Sequence, residues 1–200
     1  MAELELRALD EPAVVCLYRR ELRHTFPPSE RKPLETIRRH MAAGNYPVWG
    51  LFQGEELAAY ALLWQAAGER ISLLDYLGVP AERRDCGYGS EMLSRLIQVY
   101  GGRSTLLAEV EAPESDQAEE RLFQKRRLDF YRRAGFRYAG FDCRLFGVHY
   151  HMLAAGSGGR EELLQAYRGL YQGHLPRMLY RKFAQIPWKA GPWDEKESCL

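Results

Sequence analysis

The sequence has no apolar run long enough to cross a membrane. Its longest, Leu57 to Trp64, falls far short of the about 20 residues that a spanning helix requires. The first residues, Met-Ala-Glu-Leu-Glu-Leu, are acidic and lack the basic start and apolar core of a secretory signal, so a cytoplasmic location is expected. Cysteine is sparse: Cys16, Cys86, Cys143 and Cys199 are scattered through 200 residues with no CxxC pair. That distribution argues against a thiolate zinc site and leaves reduced thiols as the expectation. Charge of one sign is missing too, since 28 Lys and Arg stand against 27 Asp and Glu for a net charge of +1. Neither nucleic acid nor a membrane surface is therefore an expected partner. There is no internal repeat and no low-complexity tract.

What remains is ordinary globular composition, 46% hydrophobic and 28% charged, enough for one core with an appendage. Leu4 and Leu6 alternate with charged neighbours as a first strand, and Asp10-Glu11-Pro12 reads as the cap and first turn of a helix. That helix carries Val14, Leu17, Tyr18 and Leu22 at helical spacing, and Pro27-Pro28-Ser29 breaks it. Leu34, Ile37 and Met41 mark a second helix, ending at Gly44-Asn45. Val48 to Gln53 and Leu57 to Gln65 flank a Gly54-Glu55-Glu56 turn, and Ile71 to Val79 makes a third consecutive strand. From Gly89 the pattern alternates: a helix to Tyr100, a strand from Thr105 to Glu111, a helix ending near Ala134, then strands Phe136 to Phe146 and Val148 to Ala155.

This order implies an α+β fold: a mixed, mostly antiparallel sheet with one central parallel pair and helices on both faces. A parallel pair opens a ligand crevice beyond the carboxyl ends of its strands. Residues 1–155 are expected to form the domain, with Gly156-Ser157-Gly158-Gly159 as a flexible joint before a C-terminal helical extension over 156–200.

Arg84-Asp85-Cys86-Gly87-Tyr88-Gly89-Ser90 lies between the strand ending at Val79 and the next helix. Its glycines permit positive φ and close backbone approach, so successive amides can point at one anion. The helix N-terminus adds its dipole. Alone, such a loop is equally consistent with a tight turn or a phosphate cradle. Its context resembles the GNAT superfamily of acetyl-CoA-dependent N-acetyltransferases, whose fingerprint runs from a strand-final Val through Arg or Gln, Gly, and a second Gly or Ala. Val79, Arg84, Gly87 and Gly89 match it. The segment Arg127-Leu128-Asp129-Phe130-Tyr131-Arg132-Arg133-Ala134-Gly135-Phe136 is similar to the family's helix-to-strand passage, in which a Tyr before Gly-Phe faces the cofactor sulfur. Gln124 and Arg127 depart from the small and amide residues usual there. The resemblance covers about residues 3 to 155 and implies a GNAT fold. It further implies acetyl-CoA as cosubstrate, its pyrophosphate on the amides of residues 84 to 90 and its pantetheine arm along Leu77, Gly78 and Val79.

Acyl transfer to an amine needs a base, because an alkyl ammonium with a pKa near about 10.4 costs roughly 4 to 5 kcal/mol to deprotonate at neutral pH. The strand Thr105 to Glu111 puts Glu109 and Glu111 on one face beside the expected crevice. These are candidate bases, with Asp75 on the neighbouring strand a third; solvated or Arg-paired carboxylates are the plainer alternative. Tyr131 is the candidate for the leaving group. A phenol near about 10 facing a thiol near about 8.5 makes full proton transfer uphill by roughly 2 kcal/mol, which favours a hydrogen bond to developing thiolate over early protonation. A core aromatic is its alternative reading.

His149 and His151 share a strand face, but no nearby Cys or carboxylate in the sequence completes a site, so a structural role and no metal are expected. Cys86 sits at a helix N-terminus without a partner His. Glu55 and Glu56 read as solvated turn residues that could attract an amine. In the extension, Leu163, Leu164, Tyr167, Leu170 and Tyr171 form a stripe, followed by Met178, Leu179, Phe183 and Ile186. These suit packing on the core or on a second subunit of a homodimer, or a lid over the acceptor. A loosely ordered or interface-bound tail is expected from Pro187, through Trp188 and Trp193. The expected activity is acetyl transfer to a primary amine of a small molecule. A peptide or protein amine is the alternative acceptor, and a non-catalytic acyl-CoA sensor the alternative class.

Overall fold

A computed structural model describes residues 3–28, 30–65 and 70–188. Strand β1 (Leu4–Ala8) leads into helix α1 (Glu11–Leu17). Asp10 caps that helix by accepting from the Ala13 amide at 3.0 Å, which satisfies one of the free first-turn donors. The helix runs on through a π turn, Tyr18–Leu22, into α2 (Arg23–Thr25), and α3 (Leu34–Ala42) follows. Then come β2 (Val48–Gln53), β3 (Glu56–Gln65), β4 (Ile71–Gly78), α4 (Tyr88–Tyr100), β5 (Thr105–Glu111), α5 (Ala118–Arg133), β6 (Arg137–Leu145) and β7 (Val148–Ala155). The chain closes with α6 (Arg160–His174), α7 (Arg177–Phe183) and β8 (Ala184–Trp188).

All eight strands form one sheet in the order β1-β2-β3-β4-β5-β7-β6-β8. Every pairing is antiparallel except β4 with β5. The period-2 alternation of β5 sorts its side chains onto two cores. Leu107 joins Val14, Leu17, Ile37 and the α6 residues, whereas Leu106, Ala108 and Val110 join Met92, Leu93 and Leu96 of α4 and Leu128 and Tyr131 of α5. Helices thus cover both faces. Among the described residues no helix is long and apolar enough to cross a membrane.

Two expectations about the C-terminal part change. The Gly156–Gly159 segment is a packed turn rather than a loose joint. Gly156 (φ +123°) runs against Thr105, whose Cα would lie 3.2 Å from a side chain at that glycine, and Arg137 donates to the Gly158 carbonyl at 2.8 Å. The stripe Leu163, Leu164, Tyr167 and Leu170 is fully buried in the first core, each leucine contributing about 1.5 to 3 kcal/mol. The tail expected from Pro187 begins instead as a strand: β8 pairs with β6, Trp188 opposite Asp142 and Ala184 opposite Leu145. Trp193 and Cys199 lie outside the described residues.

Candidate active site

Strands β4 and β5 pair from Ile71↔Thr105 to Leu74↔Ala108 and no further. Past that point β4 stays with β3 as far as Gly78, and β5 stays with β7 as far as Glu111. The parting coincides with an irregularity in β4. Leu63 pairs with Leu74 and Leu62 with Tyr76, so Asp75 is an extra residue with no partner on β3. Such a bulge bends its strand, and here it turns β4 away from β5. The result is a crevice bounded by Asp75–Gly78 on one side and Glu109–Glu111 on the other.

The two glutamates on β5 meet different surroundings. Glu109 is half-buried, and its Oε1 accepts from the Tyr167 hydroxyl at 2.6 Å and the Tyr171 hydroxyl at 2.8 Å. Burial pushes its carboxyl above the ordinary glutamate range; the two phenol hydrogen bonds pull the other way, as does Lys32, while Asp75 reinforces the rise. Glu111 is half-buried and accepts from the Gln124 amide at 3.3 Å. Asp75 is already engaged: both its oxygens lie 2.6 Å from Lys32 Nζ, and the Tyr46 hydroxyl donates to it. That ion pair occupies Asp75, which leaves Glu109 and Glu111 as the acids at the crevice.

Tyr131 projects into the second core between Phe130 and Phe136, with ring centroids 5.3 and 5.4 Å away. Burial raises its hydroxyl pKa, and the nearby Arg127, which also hydrogen-bonds it, opposes the rise. The phenol therefore stays protonated at neutral pH and can donate. Glu109 and Tyr131 lie on opposite faces of the sheet, and the opening between β4 and β5 is where groups from both faces can converge.

A short 3-10 turn, Ala81–Arg83, carries the chain from β4 into the loop. Asp85 (φ +60°) and Gly87 (φ +82°) take left-handed conformations, and Gly87 caps α4. A side chain added at Gly87 would meet nothing within 4 Å. The first-turn amides of α4, those of Tyr88, Gly89 and Ser90, have no intrahelical acceptor by helix geometry. Only one of the two loop glycines uses positive φ. Gly89 instead lies in the first turn of α4, where a Cβ would stand 3.4 Å from Phe130 Cζ and 3.6 Å from Val79 Cγ2. Arg84 and Cys86 are exposed. On β4, Gly78 faces the Tyr60 ring so closely that a Cβ would sit 2.2 Å from it, so packing demands glycine there.

Sequence reasoning missed several groups around Glu109: Tyr167, Tyr171, Lys32, Tyr46 and Trp64. Trp64 stacks edge-on against Tyr171 and His174, at 5.4 and 4.5 Å, and Lys32 Nζ lies 4.9 Å from its ring. The buried Trp64 indole N–H has no hydrogen-bond partner among the described residues. The tyrosines of α6 were visible as a helical stripe, but nothing local said which strand they would reach.

A surface cavity of about 540 Å³ lies between α1 and the β2–β3 turn, lined by Glu21, Glu55, Glu56, Glu82, Arg20 and Arg83 among others, and it reaches Pro80, the residue after Val79. The turn glutamates are exposed yet paired, Glu55 with Arg7 at 3.5 Å and Glu56 with Arg83. Arg83 and the Tyr88 hydroxyl also reach Gln53, at 3.1 and 2.9 Å, which ties the turn to the loop before α4. Away from the crevice, His149 and His151 do meet carboxylates, contrary to the sequence expectation: Asp142 faces both and Glu114 faces His149.

The sequence matches the model of the acetyltransferase (GNAT) family over residues 12–136. Among curated proteins, none matches it. Several solved structures share the fold. A GNAT-family protein from Bacteroides thetaiotaomicron aligns with a TM-score of 0.66 at 20% identity, over 85% of this chain and 97% of its own. The ribosomal-protein-S18-alanine N-acetyltransferase from Escherichia coli aligns with a TM-score of 0.57 at 21% identity, over 78% and 97%. The spermidine N-acetyltransferase from Vibrio cholerae, in complex with CoA and spermine, aligns with a TM-score of 0.55 at 12% identity, over 76% and 92%.

Proposed function

This chain belongs to the GNAT acetyltransferase family, and we propose that it moves the acetyl group of acetyl-CoA to a primary amine of a small molecule by direct attack, without an acyl-enzyme intermediate. The observation that carries this reading is the parting of β4 and β5 after Leu74↔Ala108, with Glu109 and Tyr131 flanking the gap from opposite faces. In this reading the free backbone of Leu77, Gly78 and Val79 pairs with the pantetheine arm and orients the thioester carbonyl. The amides along Arg84, Asp85, Cys86, Gly87, Tyr88, Gly89 and Ser90 hold the pyrophosphate. The open left-handed Gly87 and the unfilled first turn of α4 fit an anion of that kind.

Glu109 takes the proton of the substrate ammonium, directly or through a water. Both phenols bind its Oε1, which leaves Oε2 for that proton. An acid whose pKa burial raises is a stronger base than an ordinary glutamate, because it holds a captured proton more firmly. Glu111 is the second candidate base; its carboxylate meets Gln124 instead of the two phenols. As the new C–N bond forms and the C–S bond breaks, Tyr131 hydrogen-bonds the departing sulfur and spreads its charge. Proton delivery to the thiolate follows, late or through water.

Two features favour a small cationic acceptor over a peptide. Helix α6 closes over Glu109 with Tyr167 and Tyr171, where a peptide would need an open groove. The cavity beside Pro80 carries four glutamates against two arginines, which favours a cation electrostatically. Steady-state release of CoA with small primary amines, diamines, polyamines and peptide N-termini tests the reading. The best small amine should outpace every peptide. A peptide preference would reassign the acceptor, and acetyl-CoA binding without transfer to any amine would leave a sensor.

A further inference from the structure

We propose that Asp142, His149 and His151 form a binding site for one Zn²⁺ ion, on β6 and β7 beyond the β5 wall of the acyl-transfer crevice. The backbone itself assembles the donors. In the β6–β7 ladder Asp142 pairs with His151, and Arg144 pairs with His149, so the period of the strands puts the carboxylate and both imidazoles on one face. Their ligand atoms all lie within 4.8 Å of one another. Asp142 Oδ2 is 3.0 Å from His149 Nε2, and Oδ1 is 3.1 Å from His151 Nδ1. Zinc bonds of about 2.0 to 2.1 Å at tetrahedral angles hold neighbouring ligands about 3.3 Å apart. The two Asp142–imidazole distances are within a few tenths of an ångström of that spacing, and the imidazole nitrogens, within 4.8 Å of each other, draw together to complete it.

Glu114 supplies the outer partner that metal-bound histidines characteristically have. Its Oε1 is 2.9 Å from His149 Nδ1. In the tautomer that donates Nδ1–H to Glu114, the Nε2 lone pair of His149 faces the Asp142 carboxylate at 3.0 Å. A divalent ion between them would engage His151 as well. The three side chains are only 8 to 13% exposed. Two imidazoles and one carboxylate suit zinc, and water completes the coordination. The ion would pin the β6–β7 hairpin to the segment after β5, where the Ala112 amide already donates to the His149 carbonyl at 3.0 Å.

The test uses the full chain stripped by chelator, titrated with zinc by calorimetry and with Co²⁺ by absorption. One equivalent should bind, with visible cobalt bands and no near-ultraviolet thiolate charge transfer, and the melting temperature should rise. His149→Gln and His151→Gln should each abolish stoichiometric binding, and Glu114→Gln, at an exposed outer partner, should weaken it by about 10- to 100-fold. No stoichiometric binding by the wild type, a thiolate band, or undiminished binding in the His149→Gln/His151→Gln double variant would overturn the site. The wild-type titration and cobalt spectrum decide the matter even where a variant fails to fold.

Discussion

The Tyr167 hydroxyl donates to Glu109 Oε1 at 2.6 Å across 58 residues of sequence. Tyr171, one helical turn further along α6, donates to the same oxygen. The C-terminal helix, which lies beyond the family-matched segment of residues 12–136, therefore sets the protonation chemistry of an acid inside that segment. Four expectations come from this contact and its neighbours.

Glu109→Gln should lower kcat/KM by about 10²- to 10⁴-fold while the KM for acetyl-CoA holds. Its stability should move the other way. An unfolded glutamate titrates near about 4.3, and burial raises the folded value. Between the two the native state keeps a proton that the unfolded state has lost, so stability falls as pH rises through the folded pKa. Glutamine has no such loss. The melting-temperature advantage of the variant should grow as pH rises from the unfolded glutamate value, about 4.3, through the folded pKa, and a constant difference would refute the shift.

Tyr171→Phe removes one of the two phenols that favour the Glu109 carboxylate. The acidic limb of kcat/KM should move to higher pH, and Tyr167→Phe should act likewise. Each loses a buried hydrogen bond to a charged group, for about 1.5 to 3 kcal/mol of stability by denaturant titration. An unmoved acidic limb in both would separate Glu109 from the rate.

Tyr131→Phe keeps the ring against Phe130 and Phe136 and deletes only the hydroxyl. Loss of a preorganised donor should reduce kcat by about 10²-fold with the KM for acetyl-CoA nearly constant. Full turnover would reduce Tyr131 to a packing residue.

Ser90→Glu places a carboxylate in the first turn of α4, where the helix dipole favours it, so the fold should persist. The same charge would face the pyrophosphate, and calorimetry should find acetyl-CoA affinity reduced by about 100-fold or more. Gly87→Glu should do the same with added backbone strain, since Gly87 sits at φ +82°. Unchanged affinity in both would move the phosphate site elsewhere.

Much of this was legible along the chain because its signals are local. Alternation marked β5 at Thr105–Glu111 and β7 at Val148–Ala155, to the residue, and the order of elements predicted the single parallel pair. The loop before α4 was readable because glycine spacing and a helix start are short-range features. The same alternation put Glu109 and Glu111 on one face, yet it was silent on their partners: α6 meets the first and α5 the second.

The amino-acid order by itself determined which elements form, in what sequence, and where the glycine turn before α4 stands, since propensity, period and turn chemistry act over a few residues. Only the tertiary structure decided what those elements do to one another. It put the bulge at Asp75 that parts β4 from β5, the α6 phenols that bracket Glu109, the packed turn at Gly156–Gly159, and the ladder that brings Asp142 to two histidines. Each of these depends on register and packing between segments far apart in the chain, and burial then sets the charge state of the groups so assembled.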